Sequence, residues 1–218
     1  MIIVYLSGCS TPKIITKQEA FPDMYQQKPN TILVVPAVNR STAADAPELY
    51  ATTILQPLAE AGYYVLPIPL INQQFAAEGI VDGEQLKNVD IHKFKQMYGA
   101  DAVLFVTINQ WDTNYFLTSS NVTVGATFDL VSTRDGRSLW HYKNKVVVNI
   151  TGNTGSLLGD IISTAVSTAI TDYVPIAHQV NASVISTLPF GHYHTKYLAD
   201  GGEKVVDEAL SKEQPQEK

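Results

Sequence analysis

Thr31-Ile32-Leu33-Val34-Val35-Pro36-Ala37-Val38 is a continuous apolar run rich in β-branched residues. That composition suits a strand covered on both faces. Pro36 has no N–H to give to a ladder, so it is expected to mark the strand's end. After the loop Asn39-Arg40-Ser41-Thr42, Asp45 or Ser41 offers an N-cap and Pro47 suits a first helical turn. Leu49, Thr52, Thr53, Leu55, Leu58 and Ala59 then recur at helical spacing up to Gly62, and Pro57 within the stripe predicts a kink or an early break. Tyr63-Tyr64-Val65-Leu66-Pro67-Ile68 reads as a second short strand. Strand, helix, strand at this spacing makes the two strands parallel, joined by a right-handed crossover. The fold class is therefore α/β.

Downstream, 72–79 and 83–89 read as short helical or loop pieces. Asp90 caps a helix through Ile91, Phe94, Met97 and Tyr98 that stops at Gly99. A third buried strand starts at Ala102 and runs on towards Trp111. The pattern then changes. Val122, Val124, Ala126, Phe128 and Leu130 alternate with polar residues, as in a one-sided antiparallel strand. Thr133-Arg134-Asp135-Gly136-Arg137 is a hairpin turn built on Asp-Gly. The return strand places Leu139, His141, Lys143, Lys145, Val147 and Asn149 on one face and Trp140, Tyr142, Val146 and Val148 on the other. Its apolar phase fades at Asn144 and Lys145, where a bulge is expected. The expected architecture is a mixed sheet packed with helices, with a parallel β-α-β start and an antiparallel hairpin after it. A Gly/Asn loop at 151–156 precedes a helix over 157–173, and Pro175 opens another through Val180 and Val184.

The whole chain bounds its partners. Its 218 residues suit one domain plus tails. A net charge of −6 argues against a nucleic-acid partner. With one cysteine, neither an intramolecular disulfide nor a cysteine zinc cluster can form. That cysteine ends Leu6-Ser7-Gly8-Cys9, after the apolar run Ile2-Ile3-Val4-Tyr5-Leu6. An apolar segment followed by small residues is a secretory signal, and Leu-Ser-Gly-Cys is similar to the lipobox of bacterial lipoproteins, whose cysteine takes diacylglycerol. Residues 1–8 thus read as a signal peptide, short and without a basic n-region. Residues 9–30 read as the lipidated N-terminus and a Pro-broken tether, 31–198 as the single α/β domain, and 199–218 as a polar tail. As a flexible coil that tether would hold the domain about 25 Å from the lipid.

Residues with chemical potential are few. Gly191-His192-Tyr193-His194 carries a His-x-His pair, and His192 and His194 can chelate Zn²⁺ or Cu²⁺ only with a third ligand. No other histidine is adjacent in sequence, so a packed loop is the expectation. Gly152-Asn153-Thr154-Gly155-Ser156 lacks the Lys-Ser/Thr of a phosphate-binding loop, and no Gly-x-Ser-x-Gly elbow is present. Asp101 opens a strand at the end opposite to where open α/β sheets bind ligands, whereas Asn39 and Asp112 sit at carboxyl ends. Trp111, Tyr115 and Phe116 gather beside Asp112. No catalytic set and no cofactor emerge.

Five stretches together resemble one family of Gram-negative lipoproteins, typified by a meningococcal vaccine-candidate antigen. They are Pro36-Ala37-Val38-Asn39-Arg40-Ser41, Pro57-Leu58-Ala59-Glu60-Ala61-Gly62-Tyr63-Tyr64-Val65-Leu66-Pro67, Asp90-Ile91-His92, Tyr98-Gly99-Ala100-Asp101-Ala102, and Leu188-Pro189-Phe190-Gly191 leading to Tyr197. The resemblance implies a fold similar to the N-terminal α/β domain of TolB, a homodimer, and an accessory part in envelope transport or assembly. It also implies a curli-secretion-channel-like lipoprotein as partner. The alternative is a periplasmic binding module for a small ligand in the α/β cleft. One face of the 157–173 helix, with Ser163, Ser167 and Thr171, is small and uncharged. With Val180 and Val184 it forms the expected two-fold interface; the alternative is that this helix packs under the C-terminal segment of its own chain.

Overall fold

The computed structural model describes residues 14–115, 120–149, 161–162 and 174–206. A mixed sheet runs through it. In chain order the elements are β1 (Ile14–Thr16), α1 (Lys17–Ala20), α2 (Pro22–Gln27), β2 (Thr31–Val34), β3 (Val38–Asn39), α3 (Ala46–Glu60) and β4 (Tyr64–Val65). There follow α4 (Ile68–Ala77), a 3₁₀ turn (Gly83–Leu86), α5 (Ile91–Tyr98), β5 (Ala102–Tyr115), β6 (Ser120–Ser132), β7 (Ser138–Asn149), β8 (Ile161–Ile162), α6 (Val174–Ile185) and β9 (Lys204–Val206). The main sheet has the order β4-β2-β5-β6-β7-β8, with β3 also on β5.

β2 pairs in parallel with both β4 and β5, as the β-α-β reading requires. Both of its faces are covered. Ile32 and Val34 enter a core with α3 and α6, and Leu33 and Val35 enter a second core with α4 and α5. β2 ends at Val34, just before Pro36 as expected, and pairing with β5 resumes at β3. Val34 pairs with Leu104 and Val38 with Thr107, so β2 and β3 together carry one residue more than the β5 segment they face. The Val35-Pro36-Ala37 detour absorbs that residue, and the missing Pro36 N–H costs no ladder bond there. Pro57 stays inside α3, buried, and the helix runs on to Glu60. The expected early break is absent.

β5 also pairs antiparallel with β6 along its length, and β6 with β7. The bulge falls at Leu139, not at Asn144 and Lys145. Leu130 pairs with Trp140 and Val131 with Ser138, which turns Leu139 and Trp140 into the same core. An aromatic cluster gains from this. Phe128 lies 6.1 Å from Trp140, 6.2 Å from Tyr142 and 6.2 Å from Tyr50, within the range where edge contacts add to burial.

Three further expectations change. Ile161 and Ile162 are not helical but form β8, parallel to Val147 and Val148. The remainder of the 157–173 segment, including Ser163, Ser167 and Thr171, lies outside the described residues, as do Cys9 and the 151–156 loop. Val180 (3% exposed) and Val184 (1%) are not on an outer face; they pack into the chain's own core. The residues assigned to a tether and a tail join the fold. β1 pairs antiparallel with β9, Ile15 facing Val205. Thr16 and Glu19 form a reciprocal capping box on α1, while Phe21 and Met24 are buried. Elements of three to six residues give too few turns for a periodic signal, so the polar, Pro-broken composition concealed them.

Two glycines seat the C-terminal segment. Gly191 N donates to Ala61 O at 2.8 Å, and Tyr193 N donates to Gly62 O at 3.0 Å. Gly62 has φ +90°, and a Cβ on Gly191 would collide with the Gly62 carbonyl. Gly191→Ala should therefore lower stability by about 1–3 kcal/mol in urea denaturation. Gly202→Ala, whose added Cβ meets nothing within 4 Å, should change it by less than about 0.5 kcal/mol. Equal effects would refute the close-approach account.

Candidate functional site

The carboxyl ends of the strands, where a ligand was expected, are occupied by local bonding. Asn39 Nδ2 donates to Ala43 O at 2.7 Å, and its Oδ1 accepts from Ser41 N at 3.0 Å and Ser41 Oγ at 2.7 Å. Asn39 thus shapes the loop into α3, its carbonyl oxygen taken twice by Ser41 and one amide N–H by Ala43. The side chains of Asp112 and Tyr115, and Phe116 as a whole, lie outside the described residues. Trp111 is buried in the core. Below it lies a cavity of about 10 Å³ lined by Tyr50, Val106, Phe128 and Asn181, roughly the space of one water. The Tyr50 hydroxyl is buried without a hydrogen-bond partner, and burial pushes its pKa far above the ordinary phenol value.

The most densely charged buried place joins the two ends of the described chain. Lys17 is 2% exposed. Its Nζ lies 3.0 Å from Glu203 Oε2 and 3.5 Å from Asp200 Oδ2, donates to Leu188 O at 3.3 Å, and sits 4.7 Å over the Phe190 ring. The Asp200 carboxylate is fully buried and also accepts from Phe190 N at 2.9 Å and Tyr25 Oη at 3.1 Å. Burial, then the charge of Asp200, drives the Tyr25 pKa far up. The Lys17 hydrogen bond holds the Glu203 carboxyl below its usual range. With Lys17 and both Asp200 oxygens engaged by protein groups, the cluster acts as a clamp, and its partly exposed member, Glu203, is itself paired with Lys17 and Lys196. Sequence reasoning missed Lys17 and Asp200; the one local signal was the Thr16-x-x-Glu19 capping box in front of α1.

The His-x-His loop closes over this clamp. The His194 ring stacks on Phe190, with centroids 3.6 Å apart and planes 9° apart, and its Nδ1 accepts from Lys196 N at 3.0 Å. His192 meets Tyr193 and Tyr197 edge-on, each at 5.3 Å. Both rings serve packing, and among the described residues no group of three His, Cys, Asp or Glu side chains is placed to hold a metal. Asp101, set aside for lying at the wrong end of its strand, instead organises the amino ends of β2 and β5. Its Oδ2 accepts from Asn30 N and Thr31 N, each at 3.0 Å, and its Oδ1 accepts from Lys95 Nζ at 2.6 Å. Desolvation opposes the charged form, but the Lys95 and backbone hydrogen bonds outweigh it and hold the carboxyl below its ordinary pKa.

Comparison with known proteins gives one consistent answer. A family profile described as "Putative lipoprotein GNA1162-like" matches residues 20–198. A relative from Neisseria meningitidis serogroup B, "Putative lipoprotein NMB1124/NMB1162", is 29% identical over 206 residues, 94% of each chain. Among solved structures, lipoprotein GNA1162 from Neisseria meningitidis superposes with a TM-score of 0.54 at 27% identity, covering 73% of this chain and 98% of that one. The fold, a mixed sheet packed with helices, is shared with it.

The clamp makes two measurable demands. Lys17→Met leaves the Asp200 charge buried without its cation and should cost about 3–5 kcal/mol in urea denaturation. Adding Asp200→Asn should restore part of that loss, and a double variant no more stable than the single would refute the pairing. For Asp101 the sign follows from its lowered pKa. The unfolded chain binds the proton more readily, so the group's contribution is present above its ordinary value near 3.8 and fades as pH falls below it. The stability gap between the protein and Asp101→Asn should therefore narrow from pH 5 to pH 2, and a gap that widens would reverse the assignment.

Proposed function

Because this chain belongs to the GNA1162-like lipoprotein family, we propose that Cys9 anchors it through lipid to the outer membrane with its domain on the periplasmic side. It serves there as a dimeric, non-enzymatic accessory of an envelope transport or assembly system. The observation that carries this reading is the placement of Leu6-Ser7-Gly8-Cys9 directly ahead of the folded domain. Ile14, the first residue of β1, comes five residues after Cys9. Five residues span at most about 17 Å, so the β1–β9 end lies close to the anchor, nearer than the 25 Å tether would have held it. Each acyl chain adds about 0.8 kcal/mol of membrane affinity per buried CH₂, and more than one chain makes the attachment stable. Among the described residues no helix is long and apolar enough to cross a membrane, so the lipid is the attachment this reading needs. Ser10 follows Cys9 where an aspartate would retain a lipoprotein in the inner membrane, which supports the outer membrane.

Against the small-ligand alternative, Asn39 is bonded mainly within its own loop. Fractionation with mass spectrometry tests the anchor. The wild-type protein should sediment with outer-membrane markers and carry acyl mass on Cys9. The Cys9→Ala protein should become soluble and sediment as a dimer. Retention of Cys9→Ala in the membrane without an acyl adduct would sink the anchor, and a monomeric soluble form would remove the dimer.

A further inference from the structure

We propose that the cleft at the amino ends of β2 and β5 binds a small dianion, a ligand carrying a phosphate monoester. The cleft encloses about 220 Å³ and is lined by the end of α2 (Gln27, Lys28, Pro29), by Lys95 of α5, by Asp101 and by the β6–β7 turn at Thr133 and Arg134. Three of these side chains are cations and one is a carboxylate, on a chain whose net charge is −6. A local positive excess against the charge of the whole molecule is what recognition of an anion needs.

The carboxylate does not cancel the excess. Asp101 already accepts from Asn30 N, Thr31 N and Lys95 Nζ. Lys95 is thereby matched. Among the described residues neither Lys28 nor Arg134 makes an ion pair with a carboxylate. Asp135, next to Arg134, is occupied by Arg137 Nε at 2.7 Å and Gln27 Nε2 at 3.0 Å. Two uncompensated cations therefore border the cleft. One is a point-charge ammonium and the other a planar guanidinium fork, the pair of donors that suits phosphoryl oxygens.

The walls are fixed before any ligand arrives. Ser132 Oγ donates to Gln27 Oε1 at 2.7 Å, which ties the hairpin turn to α2. Thr133 Oγ1 donates to Ala100 O at 2.7 Å, which ties the same turn to the loop before β5. His92 Nδ1 lies 2.9 Å from Thr133 O. Lys28 holds φ +51°, the left-handed region that favours glycine, and its N–H donates to Met24 O at 2.9 Å as the cap of α2. That cap fixes the backbone of Lys28 at the rim of the cleft. Preorganised walls lower the ordering cost of binding, and the volume exceeds a bare phosphate, leaving room for the group that bears it.

Titration calorimetry on the full chain in neutral detergent tests this with three probes: inorganic phosphate, glycerol 3-phosphate and glycerophosphoglycerol. The third is a phosphodiester monoanion that stands for a lipid headgroup. The expected result is saturable, salt-sensitive binding of the two dianions, tighter than the diester. Lys28→Gln and Arg134→Gln should each weaken it about tenfold with the melting transition unchanged, because both side chains are exposed. Lys87→Gln, whose lysine pairs with Glu84 away from the cleft, should leave binding as it was. Unchanged binding when Lys28→Gln and Arg134→Gln are combined, or no saturable binding of any probe, would overturn the proposal. Preference for the diester would overturn the dianion assignment and point to a lipid headgroup.

Discussion

A lysine ammonium removed from water needs several partners at once, and Lys17 finds them only in the completed fold. Its charge meets Asp200 and Glu203, its protons meet the Leu188 carbonyl, and its remaining side faces the Phe190 ring. Asp200 in turn holds Tyr25 and the Phe190 N–H. These groups come from α2, from the segment after α6 and from the approach to β9. Burying either ion alone would be costly, so the first and last parts of the described chain dock together or not at all. The β1–β9 ladder and the Gly62–Gly191 approach belong to the same closure.

The second organising element is β5. On one edge it accepts β2 and β3 in parallel; on the other it runs antiparallel to β6. It therefore divides a doubly covered α/β half from a hairpin half. Near β2 both sheet faces carry cores. Across β6 and β7 one face keeps Phe128, Trp140 and Tyr142, while Thr127, Asp129, His141 and Lys143 on the other are only half-buried. Asp129 faces His141 across the strands, with 3.9 Å between carboxylate and ring nitrogen. A sheet with one dry and one polar face needs residues of alternating character, and Val124 to Leu130 supply that alternation in their order along the chain.

Closure at the N-terminus also bears on function. Folding residues 14–27 onto the domain shortens the reach available after Cys9 and brings the β1–β9 end close to any membrane anchor. The same docking carries Gln27, Lys28 and Pro29 over the amino ends of the strands, where they meet Lys95, Asp101 and Arg134. Neither the short reach nor the cleft would exist if those residues formed a loose tether.

The sequence by itself determined what short-range physics sets. The β-branched run at Thr31, the Asp90 cap with its Gly99 stop, the Asp-Gly turn and the alternation in β6 each act over a few residues, and each stands in the structure. The family was legible in the same local way, in short stretches such as Pro57 to Pro67 that lie within the matched region. Tertiary structure decided the rest, because those choices depend on partners far along the chain. Val180 and Val184 carry the same helical pattern whether they face a second copy or their own sheet, and only packing against α3 and β7 chose the core. Ile161 and Ile162 fit a helix by period and a strand by β-branching, and the neighbouring β7 chose the strand. A one-residue bulge turned Leu139 inward. Lys17 and Asp200 stand 183 residues apart, and no local rule connects two charges at that distance until the chain has folded them into contact.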